Sequence, residues 1–186
     1  QLAIQEIDEI IDSVEDAAVG TKRIEDIVKD LRMFSHLRES MDIICLNRTI
    51  QTAINLCRHR IQKKANLTIQ LEKNLWIRAD EGRLSQVLIN LLVNAADAIP
   101  EGRRGNISLS MQGKDSEVWL EVKDDGLGMP LHVQKRLFDP FFTTKAPGVG
   151  TGLGLSISKR IIERFGGDME FQLAEGEGSC FCLKFP

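Results

Sequence analysis

Glycines occupy every second position from Gly148 through Gly150 and Gly152 to Gly154, and from Leu153 the chain takes up the helical spacing Leu155, Ile157, Ile161, Ile162, Phe165. A segment this poor in side chains cannot build a core element, so it reads as a loop that delivers the start of a helix. Gly166-Gly167 then supply a suitable C-cap pair. The first N–H groups of a helix have no intrahelical acceptors and sit at the positive end of its dipole, which favours phosphate. A single glycine loop carries little weight alone, so the remainder of the chain has to support or refute an anion site.

Upstream, Ile10, Val14, Ala17, Thr21, Ile24, Val28 and Leu31 recur at alternating steps of four and three, a heptad seam that wants a partner helix. Between them Glu15, Asp16, Lys22, Arg23, Glu25, Asp26, Lys29 and Asp30 form a mixed-sign solvent face. An ordinary amphipathic helix lying on a core is the competing reading, and Gly20 weakens either helix by about 1 kcal/mol. After Ser40 the pattern changes, which divides the chain into residues 1–40 and 41–186.

In the second part Ile43 to Leu46 reads as a short strand, and Asn47 to Lys64 as a helix with Ile50, Ile54, Cys57 and Ile61 on one side. Strands are expected at Leu67 to Leu71 and Leu75 to Ala79, and Asp80 is a plausible N-cap for a helix running to Ile99. Ile107 to Met111 and Val118 to Val122 alternate like a hairpin pair, and Asp168 to Leu173 and Ser179 to Phe185 add two more strands. The expected class is α+β: a two-layer α/β sandwich with a mixed, mostly antiparallel sheet, preceded by a long stalk helix.

With 186 residues, one domain plus an appendage is the comfortable division. A formal charge of −3 and the absence of Tyr argue against nucleic-acid binding, which calls for a basic stripe or stacking platforms. No apolar run approaches the roughly 20 residues a membrane span needs, so no membrane contact is expected from this chain. It opens in a helical pattern without an initiator Met and reads as a piece of a longer protein, whose other parts include any membrane anchor. Cys45, Cys57, Cys180 and Cys182 contain no ligand-spaced pair and read as reduced thiols of a cytoplasmic protein.

The helix after Asp80 is apolar at Leu84, Val87, Leu88, Leu91 and Ala95, yet Gln86, Asn90, Asn94 and Asp97 form one polar stripe along it. Asn competes with the helix backbone through its own amide, so two of them one turn apart suggest a ligand, with a solvent-facing edge as the alternative. Asp124-Asp125-Gly126-Leu127-Gly128-Met129-Pro130 follows a strand, and a buried carboxylate there would accept a hydrogen bond from an adenine amino group; a plain surface turn is the other reading. Phe138-Asp139-Pro140-Phe141-Phe142-Thr143-Thr144-Lys145 is too apolar for an inert linker, and a long mobile loop between Met129 and Thr151, hinged on glycine, would suit a lid over a nucleotide.

Taken in order, N-L-L-V-N-A (Asn90 to Ala95), D-D-G-L-G-M (Asp124 to Met129), F-D-P-F-F-T-T-K (Phe138 to Lys145) and G-T-G-L-G-L-S-I (Gly150 to Ile157) resemble the N, G1, F and G2 boxes of the ATP-binding domain of sensor histidine kinases. The resemblance runs from about Asp42 to Pro186, including the closing G-E-G-S-C-F-C-L-K-F-P, and A-A-D-A-I after Asn94 is similar to the nitrogen-regulation-like branch of this GHKL superfamily. It implies a Bergerat-type ATP-binding fold for residues 41–186 and the second helix of a dimerisation hairpin for residues 1–40.

For the site, the resemblance implies ATP and Mg²⁺ as cofactors. Asn94 holds the metal with Asn90 assisting, Asp124 takes the adenine amino group, and Gly126, Gly128 and Met129 shape the turn beneath the base. Lys145 reaches toward the phosphates, Asn90 and Lys145 being the catalytic pair, while Phe138, Thr144, Gly150, Thr151, Gly152, Leu153 and Gly154 complete the nucleotide contacts. Asp97 also counts among the nucleotide-binding residues, although it departs from the pattern in that many relatives place a Lys there and use it on phosphate. In related gyrase, mismatch-repair and chaperone ATPases the position of Asn90 is a Glu that activates water; an amide cannot take a proton.

The implied activity is transfer of the γ-phosphate to a histidine outside this chain and then to a response-regulator receiver domain, within a homodimeric parent. Ser35-His36-Leu37-Arg38 echoes a phosphorylation motif but lacks the acidic residue after His; it and His59 and His132 read as surface histidines. The rival readings are an anti-sigma-type serine kinase, which the heptad seam opposes, and a nucleotide-binding dimerisation module without catalysis.

Overall fold

The computed structural model describes residues 41–146 and 150–186, together with individual positions between Ile7 and Val28. Of the heptad seam, Ile10, Val14, Ala17, Thr21, Ile24 and Val28 are helical and all six are exposed; Leu31 and His36 lie outside the described residues.

Strand β1 (Asp42–Cys45) leads directly into α1 (Leu46–Lys64), followed by β2 (Ala65–Leu71), β3 (Trp76–Ala79) and α2 (Glu81–Asp97). The hairpin β4 (Gly105–Lys114) and β5 (Glu117–Asp124) comes next, then a helical turn α3 (Leu131–Gln134), α4 (Gly154–Arg164), β6 (Asp168–Ala174) and β7 (Gly178–Phe185). The main sheet has the order β2-β4-β5-β7-β6; only β2 and β4 run parallel. β1 and β3 form a separate antiparallel ribbon. The expected α+β sandwich with a mixed, mostly antiparallel sheet is what the chain adopts.

Period-two alternation sets which side chains enter the core. On β4 these are Ile107, Leu109 and Met111; on β5 they are Val118, Leu120 and Val122, and the next residue on that face is Asp124. A carboxylate is thus carried inward by a strand whose other inward positions are apolar. Helices α1, α2 and α4 supply the second layer through Ile50, Ile54, Ile61, Leu84, Leu88, Leu91, Leu92 and Ile162, each no more than 2% exposed. Burying each such side chain contributes about 1.5–3 kcal/mol relative to leaving it in water.

The local signals behave as their chemistry requires. Asp80 caps α2 by accepting the Arg83 N–H at 2.9 Å. Helix α4 closes with Gly166 at φ +76° and a Gly167 N–H to Ile162 carbonyl bond of 3.0 Å. Two differences from expectation have clear causes. The β4–β5 hairpin is longer than read, because it turns on Asp115 and Ser116 alone, both at positive φ (52° and 68°), without the glycine that would signal such a turn. The span between Met129 and Thr151 is not one long loop: Pro130 starts α3, and Val133 and Leu137, four residues apart, are buried and fold its first half onto the core.

The four cysteines are free: Cys57 and Cys182 are buried, Cys45 and Cys180 half-buried. Burial pushes the Cys57, Cys180 and Cys182 thiols up, Cys182 to about 11, which keeps them protonated and unreactive. No helix among the described residues is long and apolar enough to cross a membrane.

Candidate functional site

Helix α2 buries one side in the core and presents Gln86, Asn90, Asn94 and Asp97 on another, and all four line an open cavity of about 900 Å³. That volume lies within the range of ligand pockets. The opposite wall is the start of α4 and the glycine loop before it, with Gly150, Thr151, Gly152 and Gly154. Gly128 and Met129 from the loop after β5, and Thr144 and Lys145 from the segment after α3, complete the rim. The four sequence motifs therefore converge on one space, although they are spread over some 65 residues of chain.

A hydrogen-bonded line crosses this space. Asn90 Nδ2 donates to Ser158 Oγ on α4 at 3.0 Å, and Asn94 Nδ2 reaches Asn90 Oδ1 at 3.4 Å. Lys145 Nζ donates to Asn94 Oδ1 at 3.2 Å and to Asp97 Oδ2 at 2.7 Å. Arg60 of α1 grips the same Asp97 carboxylate through Nε and Nη2, at 2.8 to 3.1 Å. The junction of α2 and α4 is tight: a Cβ on Gly154 would collide with the Asn90 carboxamide, so a larger residue there has to displace that side chain and the bonds it makes. Leu153, at the N-cap position, makes no side-chain cap, and its own N–H donates to Thr151 Oγ1 at 3.3 Å.

Asp124 is 4% exposed and accepts the Gly126 N–H at 2.9 Å. Burial is the largest influence on its acidity and raises it; the Gly126 N–H and the N–H and hydroxyl of Ser179, its cross-strand neighbour, act in the opposite direction. Asp125, next in sequence but pointing to the other face, is lowered by the Asn106 N–H first and by Asn106 amide and Arg103 contacts besides. Two adjacent carboxylates thus have opposite tendencies because a strand alternates its faces. Gly126 is also sterically required, since a Cβ there would lie 2.6 Å from the Ala98 carbonyl oxygen, to which the Leu127 N–H bonds at 3.0 Å.

Not every candidate reaches the cavity. Phe138 packs edge-on against Phe171 with ring centroids 5.6 Å apart and has Lys159 over its face at 4.6 Å; Leu153 is buried in the core, and Asp124, 4% exposed, and Gly126 are not among the residues lining the cavity. Conversely, Arg60 and Ser158 belong to the site and were not picked out from the sequence. Ser158 could have been found one helical turn beyond Gly154 on the same face. Arg60 sits in no motif, and its partner lies 37 residues away. His59 and His132 are exposed, as expected.

A strand-borne buried carboxylate, an asparagine stripe and a glycine loop at a helix start, arranged over such a sheet, define an ATPase-type nucleotide domain. Residues 79–186 match the histidine kinase-, DNA gyrase B-, and HSP90-like ATPase family, and the chain belongs to that family. Its similarity is to sensor histidine kinases in particular. It is 38% identical over 167 residues to the signal transduction histidine-protein kinase AtoS of Escherichia coli K12, covering 88% of this chain but 27% of that one. Among solved structures, histidine kinase ThkA in complex with response regulator protein TrrA superposes with a TM-score of 0.73 at 30% identity, over 90% of this chain and 48% of that one. Full-length ShkA in complex with AMPPNP superposes with a TM-score of 0.74 at 26% identity, over 89% of this chain and 35% of that one. The chain spans about a quarter of AtoS, so it corresponds to one part of such a kinase.

Proposed function

We propose that residues 41–186 form the catalytic ATP-binding domain of a protein histidine kinase, and that residues 1–40 are a helix of its dimerisation stalk. In this reading the domain holds ATP with Mg²⁺ and presents the γ-phosphate to a histidine outside this chain, for relay to a response-regulator receiver domain. The observation that carries it is the line Ser158–Asn90–Asn94–Lys145, laid across the mouth of a helix start whose N–H groups favour anions.

The residues fit the cofactors. The Asn94 oxygen already has a cation against it, the Lys145 ammonium, so this position suits positive charge. Asn94, with Asn90 assisting, would hold Mg²⁺, an ion that keeps most of its waters and needs only one or two protein oxygens. When bound, the metal supplies neutralisation of phosphate charge. Asp124, 4% exposed beside the cavity, receives the adenine amino group once the Gly126–Met129 turn shifts to admit the base; Gly126, Gly128 and Met129 shape the floor under it. The N–H groups of Gly150 to Gly154 and the Thr144 and Thr151 hydroxyls surround the phosphates, and Lys145 moves from Asn94 to the phosphate oxygens. Phe138 and Leu153 act from behind, anchoring the two ends of the segment that covers the nucleotide.

Asn90 explains why the phosphate waits. Its amide is committed to Ser158 and Asn94 and has no basic atom with which to activate water. Transfer then depends on a nucleophile brought from elsewhere, and the enzyme's part is positioning plus charge neutralisation. The exposed helical seam from Ile10 to Val28 supports a partner helix and hence a homodimeric parent; the ThkA–TrrA complex supports a receiver domain as partner. A cytoplasmic setting follows from the same reading, since ATP and receiver domains are met there.

The test is calorimetric titration of a non-hydrolysable ATP analogue with and without Mg²⁺, followed by incubation with ATP and a supplied histidine-bearing stalk hairpin. Mg²⁺-assisted binding and acid-labile phosphate on the hairpin support the kinase. Binding without transfer leaves a nucleotide-dependent dimerisation module, and absence of binding overturns both.

A further inference from the structure

We propose that Arg60, on a helix outside the four nucleotide motifs, is a ligand for the triphosphate chain, held ready for that role by Asp97. The proposal rests on the nucleotide reading of the cavity and assigns a residue to it that no motif contains.

Asp97 is the centre of a charge cluster in the cavity. Its side chain is only 19% exposed and lines the cavity alongside Asn90 and Asn94. A lone carboxylate there would oppose a polyanionic ligand. It is not alone: Arg60 and Lys145 both bind it, so the cluster of two cations and one anion carries net positive charge. Lys145 comes from the segment after α3 that lines the cavity. Arg60, by contrast, comes from α1, a helix whose other face, with Ile54, Cys57 and Ile61, is embedded in the core. It is therefore the cation on the rigid side of the site.

The geometry of the pair leaves Arg60 with capacity to spare. Nε and Nη2 are spent on Asp97, Nη2 touching both carboxylate oxygens, whereas Nη1 makes no bond to it. A guanidinium gripped along one edge loses little further rotamer freedom when the remaining donors meet a second oxyanion, the condition under which Arg binds phosphate well. Arg60 also lines the same cavity as Gly150, Gly152 and Gly154, where the phosphates are expected. Asp97 is thus a positioning residue: it turns an otherwise solvent-exposed arginine into a fixed one.

The competing role is purely structural, with Arg60 merely tying α1 to α2 and neutralising Asp97. A double-mutant comparison on the full chain separates the two. Adenosine, ADP and a non-hydrolysable ATP analogue with Mg²⁺ are titrated into the wild type, Arg60→Ala, Arg60→Lys and the double variant Arg60→Ala/Asp97→Asn, with thermal unfolding of each as a folding control. If Arg60 contacts phosphate, Arg60→Ala weakens the ATP analogue about tenfold, leaves adenosine within about twofold, and remains weak when Asp97→Asn is added. Arg60→Lys, which keeps charge but loses the fork, falls between.

Recovery of wild-type affinity in the double variant overturns the proposal, because it means that the only fault of Arg60→Ala was an uncompensated carboxylate. An equal loss for adenosine and the ATP analogue overturns it too, as a general structural effect. Should Arg60→Ala fail to fold, Arg60→Lys and Arg60→Gln carry the same comparison. If the wild type binds none of the three ligands, it is the nucleotide reading that fails.

Discussion

The Lys145 ammonium lies 3.2 Å from the side-chain oxygen of Asn94, the atom expected to face Mg²⁺, and 2.7 Å from Asp97. In the proposed reading, the tethered Lys145 ammonium stands where the metal would be held. On that reading, binding of the metal–nucleotide complex would move Lys145 off Asn94 and toward the phosphates. We predict that Asn94→Ala removes most of the gain that Mg²⁺ gives to ATP-analogue affinity, while Lys145→Ala weakens the analogue about tenfold with Mg²⁺ still effective. Titrations at several Mg²⁺ concentrations check this; a Lys145→Ala chain that loses its Mg²⁺ response would count against separate roles.

Burial raises Asp124, and an aspartate raised on folding disfavours the folded state once the pH exceeds its unfolded value, the cost being complete above its folded value. Above its folded value the ionised carboxylate therefore costs stability, a cost that a ligand-binding role would account for. Asp124→Asn is predicted to unfold at the wild-type temperature or higher, yet to lose adenine-nucleotide binding. Wild-type affinity should in turn decline on acidification before an exposed aspartate would titrate. Differential scanning fluorimetry and titrations from pH 7 downward test both halves; loss of stability in Asp124→Asn would contradict the first.

Much of this layout was legible because periodicity encodes it. The alternation of Val118, Leu120 and Val122 already points Asp124 inward, and the four-residue steps of Asn90 and Asn94 already put them on one side of α2. What escaped was non-periodic. Nothing local ties Arg60 to Asp97, since their meeting depends on how α1 and α2 pack. Asp115-Ser116 carries no glycine to announce its turn, and the folding of Val133 and Leu137 onto the core involves too few residues to show a period.

Gly154 meets the Asn90 carboxamide so closely that any side chain must displace that carboxamide or push α4 away from α2. Gly154→Ala should destabilise the chain by about 1–3 kcal/mol, the usual cost of overpacking. Because Asn90 is displaced with it, ATP-analogue affinity should fall by more than the stability loss explains. Chemical denaturation and calorimetry together measure this, and wild-type behaviour in both would refute the close contact.

Asn90 offers water no base. Both ends of its amide are engaged, by Ser158 at 3.0 Å and Asn94 at 3.4 Å, and neither end is basic. Without an acceptor hairpin, ATP should therefore persist, with turnover at least about 100-fold below the 1–100 s⁻¹ typical of kinases acting on their substrates. Asn90→Glu places a carboxylate one turn before Asn94 and should raise hydrolysis while weakening transfer to a supplied histidine, since water now competes for the same phosphate. Phosphate release and hairpin phosphorylation measured on one sample decide it: brisk release from the wild type would mean that another group activates water, and Asn90 would no longer account for the held phosphate.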